Sequence, residues 1–156
     1  MIIKSCALAL ANFLGAPLDM VKKVEEKVYT LASTPQEAKD FFVVVAIESR
    51  FNPKALNPSG AKGLSQLTEI GVKEVRSKGV KCRLRNSPDT LVGNVEHGFC
   101  YFKLMRELNS GDTQLALVAY NAGNSRASAF KKNLSLPTET AHYLAKFNYL
   151  RRNICR

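Results

Sequence analysis

No apolar run in this 156-residue chain approaches the roughly 20 residues that cross a bilayer, so a spanning helix is not expected. Histidine occurs twice, at 97 and 142, too sparsely to suggest a metal site. The four cysteines, at 6, 82, 100 and 155, form no Cys-x-x-Cys pair, which argues against zinc. They allow three pairings. Cys82 with Cys100 and Cys6 with Cys155 is the simplest, and four buried free thiols is an equally open reading. No internal repeat, low-complexity stretch or linker breaks the chain. Acidic residues are few, 13 against 23 Lys and Arg, for a net charge of +10. That balance favours an anionic partner such as nucleic acid, anionic lipid or wall polymer, without choosing among them.

What is present fits an ordinary globular domain. Hydrophobic residues make up 46% and charged residues 23%, which excludes global disorder, collagen and a disulfide-dense miniprotein. The length suits one domain, 1–156, able to bury roughly 70% of its unfolded surface. Residues 1–33 read as N-terminal helices and 34–150 as the core. Met1 to Lys4 followed by Cys6 to Gly15 resembles a weak signal peptide with one positive charge. Asn12 interrupts its apolar stretch and Gly15-Ala-Pro17 opens a new helix, so a structural first helix is the favoured reading.

The chain reads as mostly α. Pro17 suits a first helical position. Val21, Val24, Val28 and Leu31 then recur at helical spacing, with Lys22, Lys23, Glu25, Glu26 and Lys27 on other faces. Thr34-Pro-Gln-Glu37 is a capping box with proline at the first position. The run Phe41 to Ile47 has strand-like residues, but the cap and the length favour a fully buried helix. Residues 49–63, with two prolines and two glycines, form a loop with room for a small β-hairpin. Further helices are expected over Gln66–Lys78, from Ser87 with Val95, Phe99, Phe102 and Met105 on one face, over 113–120 behind Asp112, from the break Asn121-Ala-Gly123 to about Lys132, and from Leu136-Pro-Thr138 onward.

Glu48 ends the apolar helix and faces a polar loop. A carboxyl at such a boundary is partly desolvated, which raises its pKa and lets it hold a proton for donation near neutral pH. The bland alternative pairs it with Arg50 or Lys54. Its surroundings favour the former. Glu48-Ser49, Asn52-Pro53, Asn57-Pro-Ser-Gly-Ala61, Gly63-Leu-Ser-Gln66, Asn94-Val95-x-x-Gly98-x-x-Tyr101, Ala119-Tyr-Asn-Ala-Gly123, Glu139-Thr140 and Tyr143 follow one another in order. The set resembles the soluble lytic transglycosylases and their goose-type lysozyme relatives.

That resemblance implies a lysozyme-like fold and cleavage of the MurNAc-β-1,4-GlcNAc bond of peptidoglycan. Glu48 would act as general acid and then as base on the muramic C6 hydroxyl, closing a 1,6-anhydro ring. The substrate's N-acetyl oxygen would replace a second carboxylate. It further implies that Tyr120 meets the Glu48 carboxyl and Ser49 orients the loop. Asn57, Ser65, Gln66, Asn121 and Tyr143 would line the saccharide groove, and Glu139 would be a buried network acid. No metal or cofactor is implied. Three positions depart from the pattern: Asn57 for a serine, Ser65 for a methionine and Ala141 for an arginine.

Between Glu48 and Glu69 there is no acidic residue, which favours the transglycosylase over a hydrolytic muramidase. A non-catalytic basic module binding wall or nucleic acid is the third reading; charge alone supports the nucleic-acid version. The expected partners are glycan strands and anionic wall polymers, not nucleic acid, and the chain is expected to be monomeric. The place of action is the cell wall, as a periplasmic, secreted or virion-associated enzyme, with phage lysis or secretion as the setting.

Overall fold

The computed structural model describes residues 5–78, 80–133 and 135–156. The beginning of the signal-like segment, residues 1–4, lies outside them. The described residues form eight helices and no strand: α1 (Ala7–Leu14), α2 (Leu18–Leu31), α3 (Pro35–Ser49), α4 (Glu69–Ser77), α5 (Leu91–Leu108), α6 (Thr113–Ala122), α7 (Asn124–Lys131) and α8 (Thr138–Asn153). The segment 7–14 is thus a helix of the fold, with Ala7, Leu10 and Ala11 buried.

Helix α3 is the central element. The Thr34 hydroxyl accepts from the Glu37 backbone N–H at 3.1 Å, and Pro35 supplies a fixed φ at the first position. The reciprocal half of the expected box is displaced by one residue. The Glu37 carboxylate accepts from the Ser33 N–H at 2.7 Å rather than from Thr34. From Phe41 to Ala46 every residue is buried, so no amphipathic stripe exists and the helix runs through the core. Phe41 lies between Phe99 and Phe102 of α5, with ring centroids 5.5 and 6.0 Å away. Truncating such a ring to alanine costs about 3–5 kcal/mol. Helix α3 packs on α2 and α8, and α5 packs on α2, α4 and α6.

Two helix starts differ from the sequence expectation. Helix α4 begins at Glu69, because the Thr68 hydroxyl caps it by accepting from Gly71 N–H at 3.2 Å. Residues 66 and 67 belong to the preceding turn. Helix α5 begins at Leu91 behind Thr90, and Ser87 lies in a turn closed by Thr90 N–H on the Ser87 carbonyl. Helix α6 runs through Asn121, and the break falls at Gly123, whose φ of +93° favours glycine. The small hairpin is reduced to two isolated antiparallel bridges, Leu56 with Lys62 and Lys62 with Leu67.

The cysteines pair in the simplest way, Cys6 with Cys155 and Cys82 with Cys100. The first joins the chain ahead of α1 to the end of α8. The second fastens the segment after α4 to α5.

Candidate active site

Glu48 stands in the last turn of α3. Behind the helix, Arg50 and Phe51 take left-handed conformations, with φ of 51° and 62°. Each such non-glycine residue costs on the order of 1–3 kcal/mol unless its surroundings hold it. Here they do. Phe51 is 1% exposed and rests on Phe42 at 5.2 Å, and the Arg50 guanidinium donates to the Leu14 carbonyl at 2.7 Å. This turn reverses the chain directly after the carboxyl. It also commits Arg50 to α1, so the expected competing ion pair with Glu48 does not form.

Glu48 instead accepts a hydrogen bond from the Tyr143 hydroxyl at 2.8 Å, a contact reaching back 95 residues from α8. Its carboxyl is pushed up to about 7. Burial drives the rise, the Tyr143 bond opposes it, and the negative charge of Glu139 adds to it. Near neutral pH the group is therefore divided between acid and carboxylate, as a group that gives and retakes one proton requires.

Tyr143 rather than Tyr120 makes the hydroxyl contact with Glu48. Tyr120 was expected at the carboxyl and Tyr143 in the groove wall. The Tyr120 hydroxyl donates to the Ser65 carbonyl at 2.7 Å, while its ring packs against Tyr101 and Phe102. Tyr143 is buried and holds Glu48. Burial and the Glu48 charge raise both phenols well above their ordinary value, so both stay protonated.

The turn carrying Ser65 and Gln66 is held from α5. Asn94 accepts from the Ser65 backbone N–H at 2.8 Å and donates to the Lys62 carbonyl at 3.1 Å. The Ser65 hydroxyl donates to the Asn94 carbonyl at 3.1 Å. A Cβ on Gly98 would overlap the Ser65 side chain, and one on Gly63 would overlap the Asn94 amide. Ser65 is therefore fully buried and does not line a groove as expected. The smaller, polar residue lets the turn lie flat on α5. Gln66 takes φ of 49°, and its amide nitrogen donates to the Ala55 and Gly63 carbonyls at 3.1 and 3.0 Å. With both amide hydrogens used, the side-chain oxygen is what Gln66 has left to offer.

The remaining expected residues fall as follows. Asn57 is exposed, and its side-chain oxygen accepts from Ser59 N–H at 3.0 Å, closing the Asn-Pro-Ser-Gly turn. Asn121 is half-buried beside Tyr120. Ser49 is buried and donates back to the Val45 carbonyl at 3.2 Å, so its hydroxyl serves the helix and not the loop. Glu139 is exposed in the first turn of α8, not buried; only its charge reaches Glu48. A hollow of about 320 Å³ opens beside the loop between Leu56, Lys62, Gly63 and Asn94, away from Glu48. Sequence reasoning missed the part played by Asn94, although its motif with Gly98 was the signal.

Three comparisons bear on this arrangement. The curated membrane-bound lytic murein transglycosylase F of Saccharophagus degradans is 43% identical over 82 residues, covering 49% of this chain and 15% of that protein. Among solved structures, an inactive mutant of the lytic transglycosylase Slt from Pseudomonas aeruginosa superposes with a TM-score of 0.61 at 21% identity. That match covers 94% of this chain and 23% of the other, and it supports the lysozyme-like helical fold. This chain thus spans only a small part of either relative. The sequence model of the transglycosylase SLT domain matches residues 31–141, from the end of α2 to the first turn of α8, and the chain belongs to that family.

Proposed function

We propose that this chain is a peptidoglycan lytic transglycosylase with Glu48 as its acid and base. The observation that carries the reading is the half-buried Glu48 carboxyl, raised to about 7 and held by the Tyr143 hydroxyl. Protonated Glu48 gives its proton to the glycosidic oxygen between MurNAc and GlcNAc. The N-acetyl oxygen of the muramic sugar meets the positive charge that develops at C1. Glu48, now a carboxylate, removes the proton of the muramic C6 hydroxyl as that oxygen closes on C1, giving the 1,6-anhydro end without water. Tyr143 steadies the carboxylate between the two steps. Gln66, through its amide oxygen, and Asn121 and Asn57 on the surrounding turns, are the groups we assign to sugar contact. Glu139 is the acid whose charge acts on Glu48 among the described residues, and its side chain is exposed in the first turn of α8. That placement fits substrate assistance better than a two-carboxylate hydrolase.

The two disulfides support action in an oxidising compartment, as a periplasmic, secreted or virion-associated enzyme. Among the described residues no helix is long and apolar enough to cross a membrane. Mass spectrometry of fragments released from purified sacculi tests the reading. Muropeptides ending in 1,6-anhydroMurNAc, absent with Glu48→Gln, are expected. Reducing ends, heavier by one water, would make the protein a muramidase on the same fold.

A further inference from the structure

The chain between α4 and α5 carries a feature that the Glu48 chemistry does not use. Along residues 80–85 exposure alternates. Val80, Cys82 and Leu84 are half-buried, whereas Lys81, Arg83 and Arg85 are exposed. Alternation of period two marks an extended chain laid over a core, with one set of side chains inward and the other outward.

This segment is fastened along its length. Cys82 is joined to Cys100 on α5. Lys103 of α5 donates to the Lys81 carbonyl at 3.1 Å. The Glu96 carboxylate, completely buried, accepts from the backbone N–H groups of Arg85 at 3.1 Å and Asn86 at 2.8 Å. Lys27 answers the Glu96 charge from α2 at 3.1 Å. Three cations thus project from a backbone held by a covalent bond and hydrogen bonds, two of them to a buried carboxylate. None of the three joins an ion pair among the described residues. In an extended chain, residues on one side are about 6.6 Å apart, so the charges form a row.

We propose that Lys81, Arg83 and Arg85 bind a linear phosphodiester polymer of the bacterial envelope, with each cation facing a phosphate. Guanidinium forks match phosphate oxygens, and a backbone ordered beforehand loses little freedom on binding. Charges built into a polymer chain meet a row of cations in register, whereas the carboxylates of wall peptides sit on flexible branches. Residues 80–86 contain no aromatic side chain, so the stacking platform that single-stranded nucleic acid uses is absent from the row. The proposal is independent of what Glu48 does.

The test is the salt dependence of binding between the full chain and purified poly(glycerol phosphate). The triple variant Lys81→Ser, Arg83→Ser, Arg85→Ser is compared with Lys131→Ser, Lys132→Ser, Arg152→Ser, which removes the same charge from exposed sites on and beside α7 and α8. The first variant should lower affinity at least about tenfold at low salt and flatten the plot of log K against log salt by about 2. The second should change it far less. Helical content and fragment release from sacculi stripped of phosphodiester polymers should stay unchanged in both. Equal losses in the two variants would reduce the effect to net charge and overturn the proposal. So would equal affinity for a single-stranded oligonucleotide of matched charge, or no binding by the parent chain.

Discussion

Glu96 and Glu48 are both withdrawn from water to some degree and come to opposite states. Glu96 in α5 is completely buried, yet its carboxyl lies below the usual range. Burial alone would raise it, but the Lys27 ammonium and the N–H groups of Asn86 and Arg85 outweigh burial. Glu48 in α3 is less buried and receives a single neutral hydrogen bond. Its carboxyl rises to about 7. At Glu96 the number and charge of the donors outweigh burial, whereas at Glu48 burial outweighs the single neutral donor. One carboxylate stays charged and holds a loop, and the other is divided between its two protonation states near pH 7.

Substitutions can break this contrast. The largest effect is expected for Glu48→Gln in anhydromuropeptide release, a loss on the order of 10³-fold, measured on sacculi. Glu96→Gln should leave the Glu48 chemistry in place but cost about 3–5 kcal/mol of stability in denaturant at pH 7, because Lys27 loses its charged partner. The folded pKa of Glu96 is lowered. Its contribution is therefore present above the ordinary carboxylate range and fades as pH falls through the lowered value, where parent and variant should converge.

Glu48 carries the opposite sign. Its folded pKa is raised, so the parent loses stability as pH climbs from about 4.5 to about 7. Glu48→Gln should be more stable than the parent above pH 7, by on the order of 1–3 kcal/mol, and no more stable in acid. Thermal melts at the two pH values would show it, and equal gains at both would contradict the raised pKa. The smallest effect concerns the two tyrosines. Tyr143→Phe removes the bond that favours the carboxylate, so the alkaline limb of the pH–rate profile should move up by up to about one unit. Tyr120→Phe, which frees the Ser65 carbonyl instead, should move that limb less.

Local chemistry was legible in the sequence where caps and periodicity coincide. Thr34 with Pro35 and Asp112 both start helices as read. Thr68 and Thr90 do the same work, but each is preceded by residues that also read as helical or as a start, so the expected elements begin three to four residues early. Glu48 stood out through the motifs around it, since a carboxyl at the end of an apolar run suits an ion pair with Arg50 or Lys54 as well as it suits a proton donor. Which tyrosine meets it was not. Tyr120 and Tyr143 are both aromatic residues late in the chain, and only the packing of α8 against α3, with α6 against α5 and α8, decides between them. The inward turn of Ser65 was equally hidden, since it depends on the space left by Gly98 and on the Asn94 amide. Glu139 misled for the converse reason: motif position suggested burial, but Glu139 lies on the outward side of the first turn of α8, whose inward side is taken by Thr140.

The link between Cys6 and Cys155 spans 149 positions and turns nearly the whole polypeptide into a covalent ring. A ring has no ends from which to fray, and a single cut does not divide it. A protease that nicks the exposed stretch around Lys132 and Asn133 would leave one molecule of unchanged mass apart from the added water, its two pieces parting only when a thiol is added. Such a molecule can outlast its own first cut.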